Sequence, residues 1–105
     1  MNKVMIVGNL GTDVAVRYIP SGTTVCDLRV ATNESWKDKV TGETRTATEW
    51  HKVVCWAKTA ENCAKYLKKG RKVQVEGSLR TRVWEDKDNN KRYTTEIVAR
   101  TVKFL

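Results

Sequence analysis

The sequence holds one histidine, His51, and none of the partners that would make it a catalyst. No nucleophile-elbow serine and no phosphate-binding P-loop pattern accompanies it, and a base without an oriented nucleophile does no acyl transfer. The acidic residues are scattered, several beside basic ones, and form no metal-binding cluster. Cys26, Cys55 and Cys63 are odd in number and lack a Cys-x-x-Cys spacing. This argues against a disulfide framework, leaves a zinc site built from them and His51 without a paired-ligand motif, and favours buried reduced thiols. No apolar run nears the roughly 20 residues needed to span a bilayer. The opening Met1–Val7 lacks the long apolar stretch and cleavage site of a signal peptide. No membrane association, no cofactor and a cytoplasmic location are therefore expected. Repeats, linkers and low-complexity tails are also missing.

What the sequence does have is positive charge. Its 105 residues suit one domain, 1–105, and carry 20 Lys and Arg against 12 Asp and Glu, for a net charge of +8. That imbalance points to a polyanionic partner. A domain this small leaves much apolar surface uncovered, so oligomerisation would help it.

Most of the chain reads as β-structure. Lys3–Val7 is a β-branched run ending at a turn signal, Gly8-Asn9-Leu10-Gly11. Val14–Tyr18 is a short second strand, and Pro20-Ser21-Gly22 turns the chain. In Thr23–Thr32, Cys26, Leu28 and Val30 form the inward set, and Val25, Arg29 and Ala31 the outward one. Residues 33–47 are polar and read as a long loop or extended hairpin tip. They carry Trp36 among Lys37, Lys39 and Arg45, and a Trp exposed among cations asks for a reason. Thr48–Lys58 is a strand. Thr59–Lys69 is the helix candidate, capped by Thr59, with Glu61 in its first turn, Lys68 and Lys69 in its last and Gly70 beyond its end. Ala60, Cys63, Ala64 and Leu67 make its apolar stripe. Val73–Val83 is a strand, residues 85–92 a charged hairpin tip bending at Asn89-Asn90, and Tyr93–Phe104 the last strand. Three strand regions, one helix, then two strands is the order of an all-β OB fold, a five-stranded Greek-key barrel with one short helix.

Alternation in Thr48–Lys58 puts Trp50, Lys52, Val54, Trp56 and Lys58 on one face and Glu49, His51, Val53, Cys55 and Ala57 on the other. The second face supplies the core, so both tryptophans and both lysines point away from it. Downstream, Arg80, Arg82 and Trp84 share a parity opposite to Val73, Val75, Leu79 and Val83, which read as core. Single tryptophans usually fill cores or interfaces. Four of them, each near a cation, match what single-stranded nucleic acid requires: aromatic faces for bases and cations for phosphates. Alternate residues on a strand lie about 7 Å apart, a repeat suited to an extended polynucleotide. His51, on the core-facing parity, reads as a packing or interface residue.

These residues resemble the bacterial single-stranded DNA-binding proteins. The likeness is carried by Asn2–Gly11, Val16-Arg17-Tyr18, Ala31-Thr32-Asn33-Glu34-Ser35-Trp36, Thr48-Glu49-Trp50-His51-Lys52-Val53-Val54, Ala64–Gly70, Val75–Arg82 and Tyr93-Thr94-Thr95-Glu96. The resemblance implies an OB fold, a homotetramer, and sequence-tolerant, non-enzymatic binding of single-stranded DNA in replication, recombination and repair, within a bacterial cytoplasm and associated with the nucleoid. Carried over, the stacking residues are Trp36, Trp50, Trp56 and Trp84. The phosphate contacts are Lys39, Arg45, Lys52, Lys58, Lys69, Arg80 and Arg82, and His51 is the interface histidine. Position 56, often phenylalanine in that family, is Trp here, and Val83 stands where a basic residue can occur. The family's acidic, Phe-ended tail is not seen after Thr101–Leu105, so tail-dependent partners are not expected. An OB accessory protein of replication restart working mainly through protein contacts, an RNA-binding OB protein, and a nuclease or other enzyme are the competing readings, the last disfavoured by the lack of an acidic metal cluster.

Overall fold

The computed structural model describes residues 1–105, and β-strands account for most of them. β1 (Val4–Leu10), β2 (Ala15–Tyr18), β3 (Thr24–Lys37) and β4 (Thr44–Trp56) precede a helix, α1 (Ala57–Tyr66); β5 (Lys72–Glu85) and β6 (Lys91–Phe104) follow it. The strand order is β1-β5-β6-β4-β3-β2, and a second pairing of β1 with β3 closes the first five of these into a barrel. Closure is made by Asn9↔Ala31 and Leu10↔Val30. It explains why Gly8–Leu10, expected to turn, stays extended: Gly8 pairs with β5, Leu10 with β3 and Asn9 with both. β2 lies outside the ring, paired only with the start of β3, so four strands precede the helix rather than three. This is the OB arrangement expected from the order of elements.

The core follows from the alternation. Cys26, Leu28 and Val30 of β3, Val53 and Cys55 of β4, and Val73 and Val75 of β5 are buried together with Leu10 and Ile97. Val25, assigned outward, is also fully buried. A bulge corrects the parity of the last hairpin. Glu76 pairs with Thr101 but Gly77 with Ala99, so Arg100 is skipped and the inward set of β6 changes from Val102 and Phe104 to Ile97 and Ala99. Such a bulge bends and twists the ribbon, and Gly77 sits where a side chain would strike the carbonyl of Val98. Just past the bulge Ile97 still packs in the core beside β4, and from Leu79 opposite it the β5–β6 ribbon leaves the barrel. Leu79 and Val83, expected in the core, are therefore 50% and 57% exposed.

The helix starts two residues before its expected cap. β4 runs directly into it through Trp56, with no side-chain cap, and the reversal is made by Ala57 at φ 52°. Thr59 therefore lies inside the helix, and the first turn holds no acid. Ala60, Cys63 and Leu67 pack onto the barrel, whereas Ala64 faces out. The helix ends at Tyr66, not Lys69, because Leu67 turns extended and inserts into the core. Lys68 to Gly70 then reverse the chain, with Gly70 at φ 90°.

Candidate nucleic-acid interface

Three neighbouring strands present one continuous face. Register places Arg80 opposite Glu96, Arg82 opposite Thr94 and Trp84 opposite Arg92. The parallel contact of β4 with β6, Val54 beside Val98, brings Trp50, Lys52 and Trp56 to the same side. β3 adds Arg29 opposite Lys52, Ala31 opposite Trp50 and Asp27 opposite Val54. The four indoles are between 43 and 56% exposed. They are core residues in no sense, yet Trp50 and Trp84 are each held by a neighbour. The ring of Trp50 lies over Gly11, where an added Cβ would enter it. Trp84 donates its indole N–H to Thr94 Oγ1 at 2.9 Å. Trp50 and Trp56 stand about 20 Å apart along β4, with Lys52 and a buried Val54 between them.

Two clefts lie along this stretch. One, about 330 Å³, is lined by Arg17, Asp27, Trp56 and Arg82; the other, about 310 Å³, by Val4, Trp50 and Leu79. Lys52 and Glu96 line both. Lys52 Nζ and Arg82 Nε each lie 3.4 Å from a Glu96 carboxylate oxygen. Arg17 donates to Asp27 at 2.9 Å, and this hydrogen bond holds its guanidinium pKa above the ordinary value. Trp36 departs from the group. It pairs with Arg45 on the ladder face that continues from His51 and Glu49, not on the face of Trp50 and Trp56. Arg45 is bound into its own turn by Asp38 at 3.5 Å. The Asp38 carboxyl is held below its usual range by the N–H groups of Val40 and Thr41. Lys39 lies in the same turn, Lys58 in the first turn of α1 and Lys69 in the turn after it. None of these three, nor Arg80, enters an ion pair.

His51 is half-buried and its Nε2 is 2.8 Å from Thr32 Oγ1. It keeps the inward parity but sits just beyond the packed core, in a recess with Glu34 and Glu49. The cysteines lie deeper on the same inward side, in the core beneath α1. Cys26 donates to the Ala60 carbonyl, and burial pushes its thiol up to about 11. Cys55 is raised too, by the Cys63 sulfur beside it and by burial. No group of three or more His, Cys, Asp or Glu side chains is placed to hold a metal ion, and no helix is long and apolar enough to cross a membrane.

The chain matches the single-strand binding protein family over residues 1–105. It belongs to that family. Among solved structures, it is similar to a Plasmodium falciparum SSB in complex with ssDNA, at 34% identity and a TM-score of 0.91, covering 100% of this chain and 95% of that one. It is also similar to a deletion mutant of the single-stranded DNA binding protein from Thermus aquaticus, at 30% identity and a TM-score of 0.86, covering 100% of this chain and 50% of that one.

In this family member the β4 and β5 residues that the sequence puts outward do share one face, and their neighbours on it are not evident from the sequence. Arg29 was placed outward but not recognised as the cation beside Lys52. Arg17, Arg92 and Glu96 also stand on or beside this face, and in the sequence Glu96 is one acid among many. A signal for Arg29 was present, since its parity matches that of β4 across an antiparallel ladder. Glu96 had none, because the bulge at Arg100 hides which parity of β6 faces the tryptophans.

Proposed function

We propose that this protein binds single-stranded DNA without sequence preference and without catalysis, as one OB domain spanning residues 1–105. Bases stack on Trp50, Trp56 and Trp84, and phosphates are met by Lys52, Arg80 and Arg82, with Lys58 and Lys69 beside the barrel. Trp36, Lys39 and Arg45 extend the contact along the β3–β4 hairpin. The chain works as a homotetramer in which His51 lies near a subunit contact, and it protects exposed strands in the cytoplasm during replication, recombination and repair.

The observation that carries this reading is the shared face of three half-exposed tryptophans and the cations between them. Each indole keeps about half its surface open, which base stacking requires. The net charge of +8 supplies long-range attraction for a polyanion. The test is a titration of intrinsic tryptophan fluorescence with oligo(dT) at several salt concentrations. Strong quenching is expected, because stacked indoles lose emission to the bases, and affinity falls as salt rises, because phosphate neutralisation releases counterions. Unchanged emission at saturating DNA would sink the stacking assignment.

A further inference from the structure

Glu96 is the only charged side chain among the buried residues, at 9% exposure, and it is buried in the middle of the basic face. Its oxygens lie 3.4 Å from Lys52 Nζ and 3.4 Å from Arg82 Nε. Oε2 is enclosed and accepts no hydrogen bond. Neither ion pair is bidentate, and a buried carboxylate pays a desolvation penalty that such long pairs offset poorly. A face whose sole task was to hold phosphate as tightly as possible would carry no acid here. Arg80, directly opposite Glu96 in the β5–β6 ladder, remains without an ion pair.

We infer that Glu96 is an internal counter-ion that occupies Lys52 and Arg82 and so limits how strongly the centre of the face grips a polynucleotide. The role rests on the single-stranded DNA reading above. A cation already neutralised by a fixed carboxylate condenses few mobile counterions, and it has few to release when phosphate arrives. If Lys52 and Arg82 swing to phosphate, Glu96 is left buried and unpaired. If they stay, they add little. In both cases Lys52 and Arg82 meet phosphate more weakly than unpaired cations such as Arg80 and Lys58, and the centre of the face binds chiefly through stacking on Trp50 and Trp56. The hold on the strand is thereby tempered where the tryptophans are closest to the cations.

The experiment measures binding of labelled oligo(dT) by Glu96→Gln across a series of salt concentrations. Glutamine keeps the shape and removes the charge. The variant is expected to bind roughly tenfold tighter at low salt, as loss of about 1.4 kcal/mol of repulsion gives. Its log K against log salt plot should steepen by about 0.7 for each cation freed. A second set does not depend on the variant folding. Arg80→Gln should flatten the parental slope by about 0.7, and Lys52→Gln or Arg82→Gln should flatten it by clearly less. A parental protein that does not bind oligo(dT) overturns the underlying reading. A parental protein that binds, with Glu96→Gln no tighter and no steeper, or with all three cation variants flattening the slope equally, overturns the role of Glu96 alone.

Discussion

Trp50 keeps its orientation because residue 11 has no side chain. The indole lies over the Gly11 backbone at a distance that excludes a Cβ, so the glycine shapes one wall of the stacking surface. Gly11→Ala is expected to displace the ring while leaving the barrel intact, since Gly11 does not adopt a positive φ. Oligo(dT) affinity should fall by about 1–3 kcal/mol, the worth of one stacked base, with a melting temperature close to the parent's. Parental affinity with parental emission would contradict this account of the glycine. In the sequence Gly11 read as part of a turn, and nothing linked it to a tryptophan 39 positions on. The tryptophans themselves were legible, because the parity of Thr48–Lys58 is set by Val53 and Cys55, which face a core on one side only. Val25 and Val54 show where that logic stops. Both are on the outer parity and both are buried, because long side chains on this face, among them Trp56 and Arg17, line a cleft over Val54.

Element identities were readable throughout, and element ends were not. Inside the barrel one face of every strand is dry, so hydrophobic alternation marks the strand. The β3–β4 and β5–β6 hairpins continue past the barrel, where both faces meet solvent and alternation fades. Residues 33–47 thus read as either a long loop or an extended hairpin tip, and the ladder from Asn33↔Thr48 to Lys37↔Thr44 makes them the second. The turns closing the two hairpins share a device. Asp38 accepts the N–H groups of Val40 and Thr41, and Asp86 those of Asp88 and Asn90. Asn89 takes the left-handed conformation at φ 61°, the tolerance that singled out Asn89-Asn90 as the bend. The helix was mis-registered for a different reason. Thr59 is a good cap by local propensity, but β4 delivers the chain to α1 without a linker, so the tertiary path decides the start and Ala57 bears the strained φ.

At the scale of the whole molecule, two surfaces carry the account. One is the face of β4, β5 and β6 with its tryptophans and cations. The other is apolar and exposed on both sides of the sheet, Met5 and Val7 on the outer side of β1 and Leu79 and Val83 on the opposite side of β5, area that the proposed partner copies would cover. Sedimentation is expected to show a tetramer at micromolar concentration, and His51→Trp should weaken assembly before the barrel unfolds. A stable parental monomer, or a tetrameric variant at the lowest measurable concentrations, would refute that arrangement. The central claim is that base stacking on this one face accounts for binding. It is tested most directly by the oligo(dT) affinities of Trp50→Ala, Trp56→Ala and Trp84→Ala at one fixed salt concentration. Each variant is predicted to lose about 1–3 kcal/mol while remaining folded; three folded variants that bind like the parent would contradict the account.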